Sequence, residues 1–120
     1  MTTFRAPNSS SGGDAIVYFI QAENPPGSPI KIGFTAGKSH HSRLRQLQTS
    51  HPTKLLCLAT LNSATLKEEQ DLHEQFSDLR LHGEWFKCSL RLLTWIQANA
   101  LLTEDGHRQL GKPSTWGDEE

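Results

Sequence analysis

Residues 15–35 read AIVYFIQAENPPGSPIKIGFT and decide the fold of this chain. The first six residues are an unbroken apolar run of strand length, as expected for a strand that is covered on both faces. The connection after them holds three prolines and a glycine, and beyond it Ile30, Ile32 and Phe34 alternate with other residues. That alternation is typical of a second strand with one face toward the core. Two strands this close in sequence predict an antiparallel hairpin.

The rest of the chain completes an α+β domain. A third strand is predicted over residues 55–61, and helices over residues 39–49, residues 64–79 and from residue 90 onward. Ser39 and Ser89 are placed to cap the first and last of these helices, and Thr65-x-x-Glu68 has the pattern of a capping box. The predicted order is β-β-α-β-α-α, a small three-stranded antiparallel sheet flanked by helices.

Length and composition predict one domain between two polar ends. The 120 residues allow a single modest core. We expect a flexible lead over residues 1–13, a domain over residues 14–102, and a polar, disordered tail over residues 103–120. No apolar run approaches the ~20 residues that span a bilayer, which predicts no membrane partner and a cytoplasmic location. Cys57 and Cys88 lack metal-site spacing and are expected to be buried free thiols.

The net charge of -1 hides an asymmetry along the chain. Between Asn24 and Lys67 there is no Asp or Glu, although this stretch contains six Lys or Arg residues. Such a local balance favours a polyanion on one face of the protein. The alternative is an ordinary solvated basic surface.

The second predicted helix has a carboxylate in an unusual position. Leu66, Glu69, His73 and Phe76 fall on one helical stripe, so Glu69 is expected among apolar neighbours. A desolvated carboxylate without a partner is costly, and Glu69 would therefore need a cation or a metal. The alternative is an edge position from which Glu69 reaches solvent. His73 could orient this carboxylate, or it could simply fill the core.

The predicted hairpin carries a phenol and an ammonium. If its register places Tyr18 and Lys31 on one face, the two groups line a shallow groove. Gly33 lies on the same face as Lys31 and has no side chain to block a ligand. The alternatives are a tyrosine that belongs to the core and a lysine that only faces solvent.

Basic residues cluster in and before the first predicted helix. Arg43 falls in the first turn, where a cation gains nothing from the helix dipole, and its planar fork suits a phosphate. We expect four further residues to contact backbone phosphates: Lys38, His40, His41 and Arg45.

In this order and spacing, the residues resemble the GIY-YIG nuclease superfamily, and within it the T5 orf172-type and Mug113-type domains. The resemblance covers about residues 15–96. It rests on five matches: Ile16-Val17-Tyr18, Lys31-Ile32-Gly33, Arg43 with Leu47-Gln48-Thr49, Glu69-x-x-Leu72-His73, and Gly83-Glu84-Trp85-Phe86. Lys31 stands where the superfamily usually has a tyrosine.

The resemblance implies a metal-dependent endonuclease that hydrolyses DNA phosphodiester bonds. It implies one divalent ion, Mg²⁺ or Mn²⁺, held by Glu69 and water molecules. A water molecule would attack in line, its proton taken by Tyr18 or Lys31, and Arg43 would neutralise the developing charge. Lys31 could instead stay charged and stabilise the phosphorane.

Two other functions are compatible with the sequence. One is a non-catalytic nucleic-acid-binding module on the same fold. The other is a phage or defence interaction protein, whose contact surface would be the acidic region from Glu68 onward, with 11 Asp or Glu against 5 Lys or Arg. A domain this small has little surface for base readout. We therefore expect little sequence specificity, recognition of single-stranded, duplex or branched DNA by its structure, or dependence on a homodimer or protein partner.

Overall fold

A computed structural model describes residues 15–36 and 40–111, except for the side chain of His40. The predicted lead over residues 1–13, Lys38, Ser39 and residues 112–120 lie outside the described part. In chain order the elements are β1 Ile16–Ala22, β2 Ile30–Thr35, α1 His40–Gln48, β3 Leu55–Asn62, α2 Leu66–Gln75, a 3₁₀ turn Ser77–Leu79, β4 Arg80–His82, β5 Trp85–Phe86, α3 Leu90–Asn99, β6 Leu101–Leu102 and α4 Glu104–Leu110.

The central hairpin confirms the prediction from residues 15–35. Strands β1 and β2 are antiparallel, with Tyr18 opposite Gly33 and Ile20 opposite Lys31. Strand β3 pairs antiparallel with the other edge of β1. The predicted caps of α2 and α3 are also present, because Thr65 and Glu68 form a capping box and the Ser89 side chain accepts from the Leu92 N–H.

The prediction of a three-stranded sheet was wrong. The described sheet has six strands in the order β4-β5-β2-β1-β3-β6. The three additional strands contain only two or three residues each. Strands β5 and β6 pair with β2 and β3, and β4 pairs with β5. Segments this short have no hydrophobic period that would predict them from sequence.

Helices cover both faces of the sheet. On one face the main core joins Val17, Phe19 and Ile32 to apolar residues of α2, α3 and α4. On the other face Leu44 and Leu47 of α1 pack against a smaller cluster, which contains Tyr18, Ile20, Ala22, Leu55 and Cys57. Cys57 and Cys88 are buried free thiols, as predicted. Within the described residues, no helix is long and apolar enough to cross a membrane.

Helix α4 departs from the disordered tail expected over residues 103–120. The register between β1 and β3 shifts after Phe19, which leaves Leu58 without a partner opposite it. The Leu58 carbonyl accepts instead from the Thr103 N–H at 2.9 Å, and the Thr103 hydroxyl donates to the Cys57 carbonyl at 2.6 Å. Because the same hydroxyl accepts from the Gly106 N–H, the irregularity in the sheet holds the start of α4.

We expect Gly106→Ala to detach α4. A Cβ at this position would lie 2.8 Å from the Leu58 carbonyl carbon and closer still to its oxygen, and backbone atoms give way least. The free energy of unfolding should fall by about 2–3 kcal/mol, as for other overpacked sites. Urea unfolding measures the change. His107→Ala, at the exposed next position of the same helix, is the matched control, and an equal loss in both variants would contradict the close contact.

Candidate active site

The hairpin places two predicted site residues on one face of the sheet. Tyr18 lies directly opposite Gly33, and Lys31 is two residues from Gly33 on the same strand, so the three share a face. Tyr18 is buried, and its ring lies over the Gly33 backbone. Helix α1 covers the same face through Leu44 and Leu47.

Lys31 is held by two groups from the segment around β5. Its Nζ donates to Glu84 Oε1 at 2.7 Å, and it lies 5.7 Å from the centre of the Trp85 ring. The Lys31 side chain is 14% exposed, whereas that of Glu84 is 40% exposed. The Lys31 side chain therefore has both an ion-pair partner and a cation–π contact.

Helix α2 packs at the outer edge of β2, next to this ion pair. Pairing between β2 and β5 ends at Lys31 and Trp85, and beyond it the Ile32 N–H donates to the Glu84 carbonyl at 3.0 Å. The Ile32 carbonyl accepts from His73 Nε2 at 2.9 Å, so Nε2 carries the proton. This bond fixes α2 against β2, which gives His73 a structural task.

Glu69 is a buried carboxylate at the same edge. It is 5% exposed, as the stripe predicted, although Leu66 at the start of that stripe is 50% exposed. Glu69 Oε2 accepts no hydrogen bond from any described residue, and the nearest cationic candidate is His73 Nε2 at 3.7 Å. Burial, followed by the Glu84 carboxylate, raises the pKa of Glu69 above its ordinary value of 4.5, while His73 and Lys31 act in the opposite direction.

Glu84 is a site residue that the sequence interpretation did not assign. It pairs with Lys31 and lies close enough to Glu69 to share a hydrogen bond when one carboxyl is protonated. Its one signal in the sequence was its place in Gly83-Glu84-Trp85-Phe86. Its position depends on the pairing of the two-residue strand β5 with β2, which sequence alone does not give.

The structure does not join Arg43 to this group. Arg43 lies on α1, and its Nη1 donates to Gln46 Oε1 at 2.9 Å. No ion pair links it to a carboxylate in residues 15–36 or 40–111. Of the four residues expected at backbone phosphates, His41 and Arg45 are exposed on α1. His40 belongs to the same helix, and Lys38 lies outside the described residues.

The residues at the β2 edge fit a divalent cation that has few protein ligands. In the described part of the chain, no three His, Cys, Asp or Glu side chains could hold a metal ion by themselves. However, Mg²⁺ commonly keeps several water molecules and takes one or two carboxylates together with phosphate oxygens. Glu69 Oε2 is buried and accepts no hydrogen bond from the part of the chain that the structure describes, so it is the acceptor that such an ion would satisfy.

We expect Gly33→Ala to disturb the site through Tyr18. A Cβ on Gly33 would lie 2.5 Å from the Tyr18 hydroxyl oxygen, so the buried ring would have to move. The free energy of unfolding should fall by about 1–3 kcal/mol. A double-mutant cycle with Tyr18→Leu, followed by thermal unfolding, checks this contact. The two effects should be strongly non-additive, and additive effects would show that the loss arises elsewhere.

Comparison with known proteins identifies a family. No curated protein and no solved structure matches this chain significantly. The family model of the T5orf172 domain matches residues 15–99, which include β1 to α3 and all the residues of the candidate site. The chain therefore belongs to the T5orf172 domain family, a nuclease-like and DNA-binding family.

Proposed function

We propose that this protein is a metal-dependent endonuclease of the GIY-YIG type that hydrolyses phosphodiester bonds in DNA with little sequence preference. The observation that carries the proposal is the buried Glu69 carboxylate, which lies beside the Lys31–Glu84 ion pair and whose Oε2 accepts no hydrogen bond from the described residues. Burial of a carboxylate without a donor destabilises a fold unless a ligand uses it. Membership of a nuclease-like family is consistent with that use.

Each residue of the site has a distinct task in this proposal. Glu69 would hold Mg²⁺ or Mn²⁺, which supplies Lewis-acid stabilisation of the phosphate charge. Tyr18 is fixed by its packing on Gly33. Its phenol oxygen would orient the attacking water or, as the phenolate, accept its proton. Arg43 would neutralise charge on the phosphate, since a guanidinium stays protonated at every working pH. This task requires α1 or the DNA to bring Arg43 to the phosphate.

Lys31 acts as a charge stabiliser in this proposal. Its Nζ pairs with the Glu84 carboxylate at 2.7 Å, which places a cation at the edge of the sheet. The Trp85 ring adds a second interaction that favours the cation. Glu84 is then a positioning residue, which holds the Lys31 ammonium at the sheet edge.

Cleavage of DNA with and without metal tests the proposal. Labelled single-stranded, duplex and branched substrates would be incubated with Mg²⁺ or Mn²⁺ and, in parallel, with EDTA. Arg43→Ala should lower cleavage by about 100-fold or more, as expected for loss of a group that stabilises transition-state charge. Arg45→Ala is the matched control on the same helix. Its expected defect is weaker binding, which higher protein concentration should overcome.

The outcomes separate the alternatives. Cleavage by the parent protein that disappears in EDTA and in Arg43→Ala supports a nuclease. Metal-independent binding without any cleavage would replace it with a non-catalytic nucleic-acid-binding module. Neither cleavage nor binding would overturn both and direct attention to protein partners.

A further inference from the structure

A groove opens beside the Lys31–Trp85 contact. It has a volume of about 450 Å³, within the range of ~300–1,000 Å³ that is typical of small-ligand sites. Residues from the β1–β2 connection, the segment before β3 and the β4–β5 hairpin line it, among them Pro25, Pro29, His51, Leu81, His82 and Trp85.

The chemistry of the groove suits a nucleobase. Its walls offer an indole, two imidazoles and the flat faces of prolines, and none of the described residues that line it is acidic. Aromatic side chains stack on bases of any sequence, because every base has a π face. Leu81, a large apolar side chain on the wall, is 56% exposed and would be covered by such a ligand. The His51 ring is held in place through Nδ1 by Thr53.

The groove continues into the proposed active site. Trp85 lines the groove and also contacts Lys31, which it faces across β2 and β5. Pro29 precedes Lys31 by two residues and Gly33 follows it by two. At a rise of ~3.4 Å per residue, the groove, Lys31 and the Tyr18–Gly33 pair follow one another in steps of ~7 Å. A strand whose phosphate lies at Lys31 would therefore bring a neighbouring base to Trp85.

We propose that this groove binds one unpaired base of the DNA strand that is cleaved, so that the preferred substrate is single-stranded or branched DNA. A base within a continuous duplex is covered by its neighbours and its partner, and it could not stack on Trp85 without being extruded. The position of the strand at Lys31 rests on the proposed function. The binding of a base in the groove does not require cleavage.

Binding measured in EDTA tests the groove apart from catalysis. Fluorescence anisotropy would compare a labelled single-stranded oligonucleotide with its duplex at one fixed salt concentration. The parent should bind the single strand about tenfold or more tightly than the duplex. Trp85→Ala should bind the single strand about tenfold more weakly than the parent, which is the effect expected for the loss of one stacked base. Trp85→Phe should recover most of this affinity.

Leu81→Ala and an abasic strand locate the effect. Leu81→Ala should weaken binding a few-fold without touching Lys31, whereas Leu66→Ala, which replaces a similarly exposed leucine on α2, should have no effect. An oligonucleotide of abasic residues should bind parent and Trp85→Ala equally. Equal affinity for single strand and duplex, or unchanged binding by Trp85→Ala, would overturn the groove even if metal-dependent cleavage is found. Preference for an unstructured proline-rich peptide over the oligonucleotide would also overturn it.

Discussion

Glu69→Gln is expected to make the protein more stable and to abolish cleavage. The substitution keeps the shape of the side chain but removes a buried charge that accepts no hydrogen bond at Oε2 from the described residues. We expect the free energy of unfolding in EDTA to rise by about 1–2 kcal/mol, since a buried charge without full compensation destabilises the fold. Cleavage should fall by about 100-fold to 1,000-fold, because an amide is a poor ligand for the metal that the proposal requires. A gain in stability together with a loss of activity distinguishes a functional carboxylate from a structural one.

The stability gain should depend on pH. Burial and the neighbouring Glu84 raise the pKa of Glu69 above 4.5, whereas His73 and Lys31 favour its ionised form. A carboxyl whose pKa is higher in the folded than in the unfolded state makes its full contribution to the free energy of unfolding below the unfolded-state pKa. That contribution is lost as the pH rises through the folded-state pKa. The advantage of Glu69→Gln over the parent should therefore be small near pH 4 and increase toward neutral pH.

Thermal unfolding in EDTA from pH 4 to pH 8, with a cleavage assay beside it, measures both effects. Glu74→Gln makes the same charge change at an exposed position of α2 and should alter neither stability nor cleavage by a comparable amount. A Glu69→Gln protein that is less stable than the parent at neutral pH would show that the carboxylate has a structural partner. A variant that retains full cleavage would remove Glu69 from the proposed metal site.

The central hairpin and the burial of Glu69 could be predicted because both follow from periodicity. Successive side chains of a strand point to opposite faces, so two residues that are two positions apart share a face. Lys31 and Gly33 were therefore predictable as neighbours on one face of the hairpin. The helical stripe likewise predicted that Glu69 is buried. The capping box of α2 was predictable because its signal is local in sequence.

What could not be predicted depends on contacts between distant short segments. Glu84 reaches Lys31 because β5 pairs with β2, and two residues of strand contain no pattern that specifies a partner. Helix α4 is a polar sequence, and its start is held by the carbonyls of Cys57 and Leu58 at an irregular point of the sheet. The irregular point of the sheet cannot be recognised in the sequence of β3, and neither can the hydrogen bonds that its carbonyls accept from Thr103.

Replacement of Lys31 is expected to show whether this residue supplies a charge or takes a proton. Lys31→Met should lower metal-dependent cleavage by about 100-fold or more, because it removes a cation from the phosphate site. Lys31→Arg should retain about a tenth or more of the parent activity, since arginine keeps the charge, can pair with Glu84 and can stack on Trp85. The measurement is the single-turnover cleavage rate with saturating protein, which separates chemistry from DNA binding.

The two roles of Lys31 give opposite results for the arginine variant. An arginine cannot serve as a base at working pH, so a base at this position requires Lys31→Arg to be as inactive as Lys31→Met. Lys67→Met controls for the loss of one positive charge, because Lys67 is exposed on α2 and pairs only with the exposed Asp71 among the described residues. The Glu84 side chain is 40% exposed, so removing its Lys31 partner should change the free energy of unfolding little. A change in cleavage rate can then be assigned to the reaction rather than to unfolding. If Lys31→Arg is active, the reaction uses a positive charge at this position, and a group other than Lys31 takes the proton of the attacking water.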